Sequence, residues 1–220
     1  VECVFFTGPD FPISGPFGQA DGNNTTQGFA VHYPAGNVIK QPFSLTWEPG
    51  GFCQVNLDQN RTLIETALYL CQVDRSKNVL DLYCGMGNFS IPLAMSANNV
   101  VGFEGQGAAI RSAKRNASLA KMENCSFSKS LIHHACEELL TTGARFDCVI
   151  LDPPRQGAPG LANSLVQICR DRLVYISCDP ATLCRDLKDL CQHGFSITTI
   201  QPIDMFPQTH HIETVVLLEK

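Results

Sequence analysis

No stretch of the sequence approaches the ~20 consecutive apolar residues that cross a bilayer, so nothing in it predicts a transmembrane segment. It lacks an initiator Met, and Val1-Glu2-Cys3-Val4-Phe5-Phe6 lacks the basic region of a secretory leader. A piece of a longer chain is therefore expected, with no signal peptide. It also lacks a basic excess: 16 Lys and Arg stand against 21 Asp and Glu, a net charge of −5. Self-sufficient nucleic-acid binders are usually basic, because phosphate contacts supply most of their affinity. Were the substrate a nucleic acid, much of the binding surface is expected outside these residues. C-x-x-C spacing is absent although the chain holds 11 cysteines. That excludes zinc-ribbon, iron–sulfur and thioredoxin patterns, and no metal site is expected. Cysteines inside apolar runs, such as Cys148 and Cys169, predict buried reduced thiols in a cytoplasmic protein. At 44% hydrophobic and 17% charged residues, the chain has ample material for a core and does not resemble a disordered segment.

Residues 1–47 differ from the rest. Turn-forming clusters such as Asp10-Phe11-Pro12-Ile13-Ser14-Gly15-Pro16 and Gly22-Asn23-Asn24-Thr25-Thr26 separate short β-like runs at Cys3–Phe6, Phe29–Tyr33 and Phe43–Trp47. They predict a small β-rich piece of another domain, with a second domain over 48–220. From about residue 55 the pattern is regular. An amphipathic helix is predicted over Asp58–Cys71, with Leu63, Ala67 and Leu70 on one face. Strands are predicted at Asn78–Tyr83, Val100–Glu104, Ser126–Ser128, Phe146–Leu151, Leu173–Ser177, Ile197–Ile203 and Glu213–Leu218. Helices are predicted at Phe89–Ser96, Gly107–Lys121, His134–Thr142, Gly160–Arg170 and Pro180–His193. Nearly continuous apolar strands alternating with helices predict an α/β, doubly wound, mostly parallel seven-stranded sheet. The last two strands have no helix between them, so one edge is expected to be antiparallel.

Ligands of such sheets bind outside the carboxyl ends of the strands. The first strand runs into Asp81-Leu82-Tyr83-Cys84-Gly85-Met86-Gly87-Asn88, where Gly85 and Gly87 permit a tight turn and close approach by a ligand. Ser90 stands where G-x-G-x-x-G needs its last Gly, so a dinucleotide pyrophosphate fits poorly. The second strand ends in Glu104, an acid suited to the two hydroxyls of a ribose. A nucleoside without pyrophosphate is indicated; S-adenosylmethionine is the usual such ligand of this fold, and a dinucleotide dehydrogenase is the alternative. Asp152-Pro153-Pro154-Arg155 follows the fourth strand, its prolines stiffening a loop that starts with an acid. Ser177-Cys178-Asp179-Pro180 follows the fifth. Cys178 is the one cysteine at both a strand end and a helix start, where a thiolate would be stabilised.

Asp152-Pro-Pro-Arg, Ser177-Cys178-Asp-Pro-Ala-Thr-Leu and Asp204-Met-Phe-Pro-Gln-Thr-His-His-Ile-Glu213 follow Gly51-Phe52-Cys53-Gln54-Val55-Asn56 and the glycine turn in this order. Together they resemble the RNA uracil-5-methyltransferases, which make 5-methyluridine in ribosomal and transfer RNA. The resemblance covers about residues 45–220. It implies a Rossmann-like, class I S-adenosylmethionine-dependent methyltransferase fold, with Gln54, Tyr83, Gly85, Asn88, Glu104 and Asp152 at the cofactor. It further implies Cys178 as nucleophile and Glu213 as base. Residues 1–47 would belong to an RNA-binding domain, and the iron–sulfur cluster of some members is absent from this chain. Cys53 replaces the family's usual aromatic, and Asp179 its usual Asn. On the third strand, Ser126-Phe127-Ser128-Lys129-Ser130 supplies no acid or amide for an adenine.

Such chemistry needs these residue types. Uracil C5 is a poor nucleophile until a thiolate adds at C6, and a carboxylate must then take the C5 proton. A stacked base is out of reach, so an unpaired or flipped-out uridine in RNA is the expected partner of a monomeric enzyme. Arg155 and Arg185 are candidates for phosphate contact or for surface ion pairs; His210 and His211 are candidates to orient Glu213 or contact RNA. A 5-methylcytosine enzyme would carry a Cys after the fourth-strand Pro, and a base-amino methyltransferase an aromatic at Arg155. A non-catalytic RNA-binding module would not need Cys178 and Glu213.

Overall fold

A computed structural model describes residues 7–8, 11–12, 29–48, 51–209 and 212–220. Strands β1 (Thr7–Gly8) and β2 (Phe11–Pro12) form one small pair, and β3 (Phe29–Tyr33) and β4 (Phe43–Trp47) form an antiparallel hairpin. The order continues α1 (Leu57–Cys71), β5 (Asn78–Leu82), α2 (Ser90–Ala94), β6 (Asn99–Glu104), α3 (Gly107–Leu119), β7 (Cys125–Lys129), α4 (Ile132–Thr141) and β8 (Phe146–Leu151). It ends with α5 (Ala162–Ile168), β9 (Cys169–Ser177), α6 (Pro180–Gln192), β10 (Ser196–Ile203) and β11 (Glu213–Glu219). The main sheet has seven strands in the order β10-β11-β9-β8-β5-β6-β7. Strands β5 to β9 are parallel; β11 runs antiparallel to both β9 and β10. The predicted doubly wound sheet with one antiparallel edge is therefore present.

Strand alternation builds two cores. Val79, Ile150, Val174, Ile176, Val215 and Leu217 face α1, α2 and α3. Leu80, Leu82, Val149, Leu151, Leu173, Tyr175, Val216 and Leu218 face α4, α5 and α6. Successive strand residues point to opposite faces, so a strand covered on both sides must be apolar throughout. The hairpin is no separate lobe: Val31, Tyr33, Phe43, Leu45 and Trp47 are buried in the first of these cores. The Cys3–Phe6 strand lies outside the described residues.

Helix α1 starts where sequence chemistry says it should. The Asn56 side chain accepts the Gln59 N–H at 3.2 Å, Asp58 occupies the first turn, and Gln72 closes the helix at φ +47°. Helix α5 is shorter than predicted. Gly160 has φ +75° and cannot open a helix, and pairing with β8 draws Cys169–Arg172 into β9. In β6, Gly102 is required by proximity: a Cβ there would lie 2.6 Å from Phe127 Cδ1 and 2.9 Å from Cys84 Sγ. Gly102→Ala should overpack this layer and cost about 1–3 kcal/mol, measured by urea unfolding. An unchanged midpoint would show that Phe127 yields freely.

Candidate active site

The strand order reverses at β5, which pairs with β6 on one side and β8 on the other. A crevice at the carboxyl ends is expected there, and the predicted residues are distributed around it. Tyr83, Gly85 and Gly87 all have positive φ, at +64°, +53° and +91°, so the chain folds sharply back after β5. The turn is closed by Cys84 N–H to Phe103 O (3.1 Å) and Gly87 N–H to Cys84 O (2.8 Å). A Cβ at Gly85 would meet nothing within 4 Å, so open space lies beside its backbone.

Asp81 is fully buried beneath this turn. Its Oδ2 accepts the Ser90 hydroxyl, while Oδ1 is buried without a partner. Burial pushes its carboxyl up to about 7, with the Ser90 hydrogen bond working against the shift and Glu104 adding to it. Glu104 is half-buried at the end of β6, and its Oε1 accepts the Gln106 N–H at 2.8 Å. Asn88 is half-buried and exchanges hydrogen bonds with Asn60 at 2.9 and 3.1 Å. Gln54 is half-buried two residues before Asn56, whose Nδ2 donates to Met205 O at 3.0 Å. That bond joins the Gly51–Asn56 motif to the segment leading into β11. The Tyr83 ring instead packs on the second core, where burial pushes its hydroxyl up to about 12.

The second half of the site lies at the ends of β8, β9 and β11. Thr214 is paired with Ser177, which places Glu213 one step beyond, beside the chain position of Cys178. Glu213 is 7% exposed, and burial raises its carboxyl. Asp152 is half-buried directly after β8; burial, then Glu213 and Asp81, lift its carboxyl well above the usual range. Cys178 is half-buried. The sequence predicts a stabilised thiolate there, but the environment does the reverse. Burial and then the Glu213 and Asp152 carboxylates raise the thiol, outweighing its own N–H and Arg155. Part of the helix N-terminus is already spent, because Asp179 caps α6 by accepting the Thr182 N–H at 2.9 Å.

Cys178, Glu213, Asp152 and Asp81 are thus brought together, and Glu104 joins them through Asp81. Arg185 is not: it ion-pairs with Asp186 at 2.8 Å and donates to Gln156 O at 2.7 Å. Arg155 is exposed near Cys178. His210 and His211 lie outside the described residues. Sequence reasoning missed Asn60, Asn116 and Asp186, all buried polar groups on helices. Each sits on an otherwise apolar stripe, which was the available signal.

Three raised carboxyls give the fold a pH signature. Between the ordinary carboxylate range and about pH 7, the folded chain holds protons that the unfolded chain has released, so stability falls as pH rises. The ligand-free protein should unfold at higher urea at about pH 5.5 than at about pH 7.5. A midpoint rising over that interval would contradict these assignments.

Among the described residues, no helix is long and apolar enough to cross a membrane, and no cluster of three metal-ligating side chains is present. The tRNA (uracil-5-)-methyltransferase family model matches residues 36–220. A 23S rRNA (uracil(1939)-C(5))-methyltransferase, RlmD, of Klebsiella pneumoniae is 42% identical over 194 residues, which cover 86% of this chain and 44% of that protein. RlmD of Vibrio parahaemolyticus is 37% identical over 202 residues, 92% of this chain and 45% of its own length. The chain spans less than half the length of these two relatives. The crystal structure of Pyrococcus abyssi tRNA (uracil-54, C5)-methyltransferase with S-adenosyl-L-homocysteine superposes with a TM-score of 0.68. It is 28% identical, covering 91% of this chain and 48% of that one. At 21% identity and a TM-score of 0.62, the T. thermophilus 16S rRNA N2 G1207 methyltransferase shares the fold, over 87% of this chain and 50% of its own. The sheet is thus the Rossmann-like one of class I methyltransferases, and the chain belongs to the tRNA (uracil-5-)-methyltransferase family.

Proposed function

We propose that the protein methylates C5 of a uridine in RNA, with S-adenosylmethionine as methyl donor and Cys178 as covalent catalyst. The observation that carries this is the meeting of Cys178 and Glu213 at the ends of two hydrogen-bonded strands. Ribosomal RNA is favoured over transfer RNA by the RlmD relatives, which are more similar than the transfer-RNA enzyme.

The crevice residues fit S-adenosylmethionine. Open space beside Gly85, an unpartnered buried acceptor on Asp81 and an acid ending β6 suit a nucleoside carrying hydroxyl donors. Gln54, Gly85, Asn88, Glu104 and Asp152 would hold it, Glu104 on the ribose, with Tyr83 contributing its backbone while its ring packs on the other core. Bound there, it supplies a methyl group on a sulfonium, a strong electrophile. The Cys178 sulfur adds to uracil C6 as its thiol proton passes to Asp152, the second carboxylate beside it, which leaves Glu213 ionised for the later step. The ring becomes an enolate, nucleophilic at C5. After C5 is methylated, Glu213 takes the C5 proton, the C5–C6 double bond re-forms, and Cys178 leaves as thiolate. A buried carboxyl with a raised proton affinity is a stronger base when ionised than an exposed one.

The uridine reaches Cys178 only when unpaired or flipped out. Arg155 is placed to meet a phosphate near it. A monomer suffices, because both halves of the site come from one chain, and the free thiols fit a reducing cytoplasm. Incubating the protein with methyl-labelled S-adenosylmethionine and uracil-containing RNA tests the reading; label in 5-methyluridine is expected, and label in another nucleoside would overturn it. Glu104→Ala should leave the fold intact and weaken S-adenosylmethionine binding by roughly 1.5–3 kcal/mol per lost charged hydrogen bond. Unchanged affinity by calorimetry would remove Glu104 from the ribose.

A further inference from the structure

We propose that the β3–β4 hairpin braces the cofactor turn, with Asn60 and Asn116 as its positioning residues; the inference rests on the cofactor reading above. Asn116 is fully buried in α3. Its Oδ1 accepts both the Thr46 N–H (2.8 Å) and the Thr46 hydroxyl (2.7 Å). Its Nδ2 donates to Thr46 O (3.0 Å) and to Met86 O (2.9 Å). Thr46 belongs to β4, and Met86 lies between the two turn glycines. One side chain therefore fastens the hairpin to the crest of the turn, with all four of its hydrogen-bonding positions used.

Asn60 does the same from the other side. It is 1% exposed on α1. Its Nδ2 donates to the Tyr33 hydroxyl (2.6 Å) and to Asn88 Oδ1 (2.9 Å), and its Oδ1 accepts from Asn88 Nδ2 (3.1 Å). Tyr33 ends β3 and is itself buried. Asn88 follows the second glycine. The reciprocal pair fixes which way the Asn88 amide faces and so which of its remaining hydrogen-bonding positions meets the crevice.

The turn needs such holding. Gly85 and Gly87 lose more conformational freedom on ordering than other residues, and a Cβ at Gly85 would meet no neighbouring atom within 4 Å. If the turn is ordered before the cofactor arrives, that entropy does not count against binding. Residues 29–48 are then part of the cofactor apparatus, although they precede the sheet that carries the site.

S-adenosylhomocysteine binding by calorimetry on the 220-residue chain tests this. Asn60→Ala and Asn116→Ala should each raise Kd about five- to thirtyfold, as expected for re-ordering one residue's backbone on binding. Amide exchange at 85–88 should quicken in both variants. Leu165→Ala, a cavity in the opposite core, should lower Tm without moving Kd. Tyr33→Phe and Thr46→Val each remove one hydroxyl and keep the packing; they should shift Kd in the same direction by less, and they serve if an alanine variant does not fold. Kd values for these variants equal to that of Leu165→Ala would overturn the brace while leaving the cofactor site standing. A parent chain that did not bind S-adenosylhomocysteine would overturn the cofactor reading, and the brace with it.

Discussion

Glu213→Gln should leave the protein covalently fastened to its RNA. Glutamine keeps the shape of a side chain that is 7% exposed at the start of β11, so the fold should be undisturbed, and the Cys178 thiol, relieved of one neighbouring carboxylate, should ionise at least as readily. Addition of the thiol to C6 and methylation of C5 precede the step that Glu213 serves. Without a carboxylate the C5 proton stays, the double bond cannot re-form, and the C6–sulfur bond persists. Loss of a general base typically costs ~10²–10⁴ in rate, enough for the adduct to survive denaturing electrophoresis. Cys178→Ala should give neither adduct nor methyl transfer. Normal turnover by Glu213→Gln, or an adduct formed by Cys178→Ala, would remove the covalent assignment.

Asp186→Ala should be strongly destabilising, although Asp186 takes no part in the reaction. Asp186 is 4% exposed on α6. Its Oδ2 accepts the Tyr175 hydroxyl (2.6 Å) and the Ala158 N–H (2.7 Å), and its Oδ1 accepts Arg185 Nε (2.9 Å). Arg185 in turn donates to Gln156 O (2.7 Å), and the Thr182 hydroxyl to Arg155 O (2.9 Å). The helix after Cys178 is thereby tied to the loop after Asp152. Gly157 is what lets them approach: a Cβ there would sit 2.3 Å from Asp186 Oδ2. Removing the carboxylate strands two buried donors at about 1–3 kcal/mol each; Arg185, half exposed, adds less. A total of about 3–5 kcal/mol is a large share of ordinary stability and corresponds to a fall in Tm of roughly 10 °C. Adding Tyr175→Phe should recover part of the loss, because one stranded donor disappears. A loss below about 1 kcal/mol would mean that the network contributes little.

The sheet was legible because buried parallel strands leave a continuous apolar signature. Val79-Leu80 and Cys148-Val149-Ile150-Leu151 each serve two cores at once, and only apolar residues can do that. Cys178 and Glu213, the proposed catalytic pair, were picked out through strand ends and family motifs. What the sequence concealed was how charges meet across strands. A helix start beside Cys178 predicted a lowered thiol; only the fold shows that burial, with Glu213 and Asp152 adding to it, outweighs that start. Likewise Tyr83 precedes the glycines in sequence, but its ring turns to the other core. Asn60, Asn116 and Asp186 sit at helical spacing with Leu63, Ala113 and Leu190, and their partners are 27, 70 and 28 residues away in the chain. A polar residue on an apolar stripe announces a buried partner without naming it.

The central claim is that the reaction passes through a C6-thiolated uracil whose C5 proton is removed after methylation. RNA carrying tritium at uridine C5, incubated with the protein and methyl-labelled S-adenosylmethionine, tests it most directly. The account predicts one tritium released to water for each methyl group incorporated, and both lost together in Cys178→Ala. Methyl incorporation with the tritium retained in the RNA, or undiminished by Cys178→Ala, would contradict it.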